Sequence, residues 1–154
     1  QELVNYMIVE SFYGNTDLGN IRFYKGNNGK WRWMLYDLDW SMWNYQIDYG
    51  YPIINKRIPA VTYLYSVIDI TRTLYHNSEF RELYLSSFGK YLKTTFKPER
   101  VNKIIDMQSK EIEDEISSHI ERWRDNPRSV QGWKNNINLF KTRYSNRYNY
   151  VVNM

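Results

Sequence analysis

With 154 residues the chain is long enough to bury one core and too short for two well-separated ones, so a single domain is expected. Its 21 Lys and Arg against 17 Asp and Glu leave a formal net charge of +4, short of the clustered charge of a dedicated nucleic-acid binder, and no nucleic-acid partner is expected. The lack of cysteine excludes a disulfide scaffold, a cysteine nucleophile and a thiolate metal site, and suits the cytosol and a disulfide-free secreted protein equally.

The chain opens at Gln1 already in a helical pattern, which suggests a segment of a longer protein. The opening QELVNYMIVE lacks the basic start and long apolar stretch of a signal peptide. No apolar run approaches the roughly 18 residues that span a bilayer, so no transmembrane segment is expected. Leu3, Val4, Met7, Ile8 and Phe12 recur at the spacing of an amphipathic helix, and Gly14-Asn15 supplies its stop. Residues 15–20 are turn chemistry. They lead into the β-prone run Ile21-Arg-Phe-Tyr24, closed by Gly26-Asn-Asn-Gly29, and a second aromatic-rich run follows. The spacing predicts a β-hairpin with strands at about 21–24 and 31–38. Residues 41–59 hold no steady period and carry Gly50, Pro52 and Pro59, the pattern of a long irregular loop.

From Ala60 the pattern turns helical. Val61, Tyr65, Ile68 and Leu74 form one stripe to about Tyr75, and Asn77-Ser78 offers an N-cap to a helix bearing Phe80, Leu83, Tyr84, Phe88, Tyr91 and Leu92. Pro98 suits a first turn, and Val101, Ile104, Ile105, Ile112, Ile116, Ile120 and Trp123 predict one long helix behind it. Asp125-Asn-Pro127 breaks that helix. Ser129 can cap the next, whose apolar positions are Trp133, Ile137, Phe140 and Tyr144 up to about Tyr150. The fold class read from this pattern is mainly α with one small β-hairpin.

The informative acids lie in two short segments. If the second strand runs to residue 38, alternation puts Trp31, Trp33, Leu35, Asp37 and Asp39 on one face. Same-face neighbours on a strand are about 7 Å apart, too far for both carboxylates to ligate one Mg²⁺ at about 2 Å unless the chain bends. Two readings are open from the residues alone. Carboxylates at the end of an apolar strand suit a metal or phosphate site. They also suit a strand end and turn cap with Arg22, Lys25 or Arg32 as ionic partners. Asn15-Thr-Asp17 reads equally as a helix C-cap running into a turn. A hairpin with an acid and amides at its entry and further acids at its exit can bring both segments to one end. His76 and His119 lie on different predicted helices without ligand spacing. Glu111, Glu113, Asp114 and Glu115 read as a solvated helix face paired with Lys110 and Arg122. Neither a Gly-x-Ser-x-Gly, a Walker loop nor a His-Glu-x-x-His occurs.

Residues Gly14-Asn-Thr-Asp-Leu-Gly-Asn20, Phe23-Tyr-Lys25 and Gly29-Lys-Trp-Arg-Trp-Met-Leu-Tyr-Asp-Leu-Asp-Trp40 resemble the spore-coat protein H (CotH) family of atypical, secretory-type kinases. His119-Ile-Glu-Arg-Trp123, Trp133, Phe140 and Arg143 resemble its C-terminal helical region, so the resemblance covers nearly the whole chain. It implies a kinase-like C-terminal lobe that works on Mg²⁺ and ATP with a protein phosphoacceptor. Asp17 matches the catalytic-loop aspartate. Asp37 matches the Mg²⁺-binding aspartate with Asp39 beside it, and Asn20 matches an amide of the metal shell. Trp31, on the acid-bearing face, reads either as a ring that stacks on the nucleobase or, as is commoner for a strand tryptophan, as plain core. The step from Asp17 to Asn20 is tighter than in ordinary kinases, and no Gly-rich loop, phosphate-binding Lys strand or Glu partner precedes Gln1. The expected chain is therefore a C-terminal lobe whose further partner is the N-terminal lobe of the same protein. The resemblance also favours a cell-surface, secreted or spore-associated location. The contrasting reading is a non-catalytic domain whose exposed Tyr and Trp bind a protein or glycan.

Overall fold

A computed structural model of the chain describes residues 1–15, 21–27, 29–39, 41–42, 70 and 73–153. Its elements in order are helix α1 (Glu2–Tyr13), strands β1 (Arg22–Lys25) and β2 (Trp31–Met34), then helices α2 (Ser78–Lys93), α3 (Pro98–Ile112), α4 (Ile116–Trp123) and α5 (Val130–Val152). A 3-10 turn, Glu113–Glu115, separates α3 from α4. The protein is thus mainly α with one antiparallel hairpin, as the pattern predicted. The loop from residue 43 and most of the helix expected from Ala60 lie outside the described residues. Two compact units divide the chain, Gln1–Tyr91 and Leu92–Met154.

In the first unit α1 is the hub. The pattern predicts an amphipathic helix, but its burial is wider than one stripe: Val4, Met7, Ile8 and Phe12 are buried together with Tyr6, Glu10 and Ser11. Two different neighbours account for this. On one side the Tyr6 ring lies 5.5 Å from Trp33 of the hairpin, and Arg32 forms an ion pair with Glu2 at 3.3 Å. On the other, the Tyr84 hydroxyl of α2 lies 3.2 Å from Ser11 Oγ, and the Tyr91 hydroxyl donates to Asn5 Oδ1 at 2.9 Å. Burial pushes the Tyr84 hydroxyl up to about 12, so it stays protonated. Gly14 ends α1 at φ 59°, in the left-handed region that its lack of a Cβ permits. Asn77 caps α2 as expected, its Oδ1 accepting from the Phe80 amide at 3.0 Å.

The hairpin pairs Arg22 with Met34, Phe23 with Trp33, Tyr24 with Arg32 and Lys25 with Trp31. Gly29, at φ 78°, donates its amide to the Gly26 carbonyl to close the turn. β2 stops at Met34 instead of running to residue 38. Leu35 and Tyr36 follow as exposed coil, and Asp37 sits at φ 57°, a left-handed conformation that no strand accommodates and that Asp tolerates better than most residues.

In the second unit the predicted long helix is broken in two at Glu113–Glu115. Three successive acids repel one another, and the Glu113 carboxylate turns to Lys134 Nζ of α5 at 2.6 Å. That hydrogen bond holds its carboxyl below the usual range. The partner is Lys134, where the sequence pattern suggested Lys110 or Arg122. Lys141 pairs with Asp106, which adds a second tie between α3 and α5. Ser129 caps α5 as expected, its Oγ accepting from Gly132 N at 3.0 Å. The centre of the unit is Tyr144, fully buried, whose hydroxyl donates to the Phe96 carbonyl at 2.9 Å.

Tyr144→Phe leaves that carbonyl without this donor and is expected to cost about 1–3 kcal/mol. Tyr144→Ala adds a ring-sized cavity and is expected to cost about 3–5 kcal/mol. Urea titrations of both variants beside the wild type check the order and the size.

Candidate functional site

Both acid-bearing segments are tied to the same turn, the C-terminal end of α1. Asn15 follows the Gly14 cap, is almost fully buried, and donates its backbone amide to the Glu10 carbonyl at 3.3 Å. At the far end of the second segment the Met42 amide donates to the Tyr13 carbonyl at 3.0 Å, with the Met42 side chain buried. Ser41 donates its amide to Leu38 O at 3.0 Å, which folds residues 38–42 into a turn. Asn15, from which the chain runs on to Asp17, and Met42, where the second segment finishes, therefore share one anchor. Asp17 and Asn20 themselves lie outside the described residues.

Asp37 and Asp39 are both exposed. The strand alternation that aligned them with Trp31 and Trp33 ends at Met34, and the left-handed backbone at Asp37 breaks the pleat between them. That same-face expectation is corrected: the two carboxylates sit on a turn, where the separation of an ideal strand does not apply. Each of the basic residues named as ionic partners has a contact of its own. Arg32 pairs with Glu2, the Arg22 guanidinium lies 5.6 Å from the Tyr36 ring centroid, and Lys25 Nζ lies 5.8 Å from that of Trp31. Two exposed carboxylates separated by Leu38 are a hard oxygen donor set. Mg²⁺ ordinarily takes one or two carboxylates with substrate phosphates and water, so this set fits it. Among the described residues no group of three or more His, Cys, Asp or Glu forms a cage.

Trp31 stands at the turn end of β2 with 55 % of its surface exposed, its ring meeting Phe23 edge-on at 5.3 Å. Trp33 points the other way in burial, closed in by Tyr6 and by Phe23 at 5.1 Å. Of the two rings on that face, Trp31 is thus the one open to a ligand.

Glu10 is the residue that the sequence pattern did not single out. It flanks the Leu3–Phe12 stripe, seven residues after Leu3 and three after Met7, a border position where an acid often reaches solvent, yet it is 8 % exposed. Its spacing from Tyr6 and Tyr13, four and three residues, is the signal that could have placed it in the row covered by the hairpin. Burial raises its carboxyl above the ordinary 4.5, while hydrogen bonds from the side chains of Asn15 and Tyr6 oppose that rise. Its Oε2 has no hydrogen-bond partner, and neither has Ser41 Oγ. Burial, with Glu10 beside it, also pushes the Tyr6 hydroxyl upward.

A carboxyl whose folded-state value is raised favours folding most while protonated. That contribution is complete below the unfolded value and is lost as pH climbs through the folded one. Wild type should therefore lose stability relative to Glu10→Gln as pH rises above 4.5, with the difference levelling off once Glu10 is ionised in both states. Paired melting curves between pH 4 and pH 8 measure it; a difference independent of pH would contradict the burial cost.

The family model described as CotH kinase protein matches residues 1–151, essentially the whole chain. No curated protein and no solved structure matches it.

Proposed function

The chain belongs to the CotH kinase family, and from that premise we propose that it carries the phosphoryl-transfer site of an Mg-ATP-dependent protein kinase. The single observation that supports this reading is the common anchor: the chain runs on to Asp17 from the last turn of α1 at Asn15, and the segment holding Asp37 and Asp39 returns to that turn through the Met42 amide on the Tyr13 carbonyl. Phosphoryl transfer asks little covalent chemistry of a protein and much positioning, and two arms held by one rigid helix end meet that demand.

In this reading Asp37 is the principal Mg²⁺ ligand, with Asp39 as its neighbour and Asn20 completing the shell. Mg²⁺, when bound with ATP, neutralises phosphate charge. Asp17 orients the acceptor hydroxyl of a protein substrate and takes its proton as the acceptor oxygen bonds the γ-phosphorus and the bond from that phosphorus to the β,γ-bridging oxygen breaks, releasing ADP. Trp31 offers its open ring to the nucleobase. Residues 21–34 hold Arg22, Lys25, Lys30 and Arg32 and no acid, leaving 17 basic against 17 acidic residues elsewhere. The whole net positive charge thus lies on the hairpin, where it attracts an anionic nucleotide.

The half-exposed rings of Phe23, Tyr24 and Trp31 favour one second reading, a non-catalytic surface that docks a protein or glycan.

Asp37→Ala and Asp17→Ala are each expected to abolish transfer while the chain stays folded, the left-handed backbone at Asp37 adding about 1 kcal/mol of destabilisation to its variant. Asp39→Ala should reduce transfer less. Label from γ-labelled Mg-ATP, followed onto the protein itself and onto dephosphorylated casein, measures this beside a melting curve. An acid that only caps a turn costs about 1 kcal/mol of stability and leaves transfer intact. Wild-type transfer by Asp37→Ala would remove the kinase reading and leave the docking surface.

A further inference from the structure

We propose that Met42 is a positioning residue: its buried side chain and its amide clasp the turn that bears Asp37 and Asp39 to the end of α1, and so hold the two carboxylates in the arrangement that takes Mg²⁺. The inference rests on the phosphoryl-transfer reading above and assigns a role to a residue outside its metal and acceptor sites.

Three observations carry it. First, Met42 stands at φ 56°, in the left-handed region, where an apolar side chain has none of the local hydrogen bonding that eases Asn and Asp into that conformation. Such strain persists only where the surroundings over-determine it, and it gathers at functional sites. The surroundings here are the end of α1: the Met42 side chain is 4 % exposed, and its amide donates to the Tyr13 carbonyl at 3.0 Å. Second, the clasp reaches the acids through one backbone bond. The Ser41 amide, next to Met42, donates to the Leu38 carbonyl at 3.0 Å, and Leu38 lies between the two aspartates. Leu38 is half-buried while Asp37 and Asp39 are exposed, so this turn sets its apolar residue inward and its acids toward solvent. Third, the sheet does not hold the acids. The hairpin ladder stops at the Arg22–Met34 pair, three residues short of Asp37, and Asp37 itself leaves the strand direction at φ 57°. The segment thus departs from the strand at one left-handed residue and is closed onto the helix at another.

The test compares wild type, Met42→Ala and Met42→Leu in the full chain, by amide hydrogen exchange and by Mn²⁺ titration followed by electron paramagnetic resonance, with affinities referred to folded protein. Met42→Ala should speed exchange of the amides at positions 41 and 42 by about tenfold or more, while those of α1 and the hairpin ladder stay protected. It should weaken Mn²⁺ binding by about tenfold, the scale of losing a group that orients a metal ligand. Met42→Leu keeps the apolar volume and should recover most of both. If Met42→Ala does not fold, Met42→Gly removes the same side chain at a φ that glycine adopts without strain, and the same two changes are expected. Unchanged exchange at position 41, or acceleration spread evenly over α1 and the hairpin, would overturn the proposal. So would faster local exchange with Mn²⁺ affinity unchanged. A wild type that binds Mn²⁺ no better than Asp37→Ala does would sink the metal reading itself, and the proposal with it, whatever the exchange shows.

Discussion

Everything described in the first unit depends on how α1 ends. Gly14 turns the chain through a conformation that other residues resist, Asn15 is drawn back under the helix, and the Tyr13 carbonyl, which no residue of the helix can bond, is taken by the Met42 amide. An unpaired carbonyl in a buried place costs about 1–3 kcal/mol, so the return of the chain to Tyr13 is favoured by more than the packing of Met42 alone. One helix end thus fixes both Asn15, ahead of the hairpin, and Met42, after it.

The hairpin between these two fixed points is short and open. Two strands of four residues make a marginal sheet by themselves, and the stabilising surface comes from α1, through the Tyr6–Trp33 contact and the Arg32–Glu2 pair. The opposite outcome holds for Trp31, whose ring has Phe23 and Lys25 for company and half its area in solvent. A two-stranded ribbon covered from one side leaves aromatic and cationic groups outside. Those are groups suited to an anionic ligand with a flat ring.

The second unit works on different terms. α3 has no buried residue, and its ties to α5 are the Glu113–Lys134 and Asp106–Lys141 pairs at the surface together with the half-buried aliphatic stripe. Surface pairs are each worth little, so the buried Tyr144 and its bond to Phe96 are the better account of what holds this unit. Arg147, 2 % exposed on the same helix, stacks its guanidinium 5.7 Å from the Tyr150 ring, a long side chain absorbed into a core short of aliphatics.

Local chemistry determined what could be read from the sequence. Gly14, Asn77 and Ser129 mark helix ends through their own backbone and side-chain preferences. The Asn-Asn-Gly turn between aromatic runs specifies a hairpin, and the motif residues from Gly14 to Trp40 specify the family. The burial of Glu10, the end of β2 at Met34, the break at Glu113 and the return of Met42 to Tyr13 came only with the tertiary structure. Each depends on packing or on a partner remote in sequence. Glu10 is polar by its own chemistry and sits at the border of the apolar stripe, where its burial among neighbours that include Tyr6 and Asn15 is a matter of packing. β2 ends early because the chain must leave the sheet to return to the helix end. Periodicity describes which face of one element is apolar, and it carries no information about a second neighbour that covers the other face.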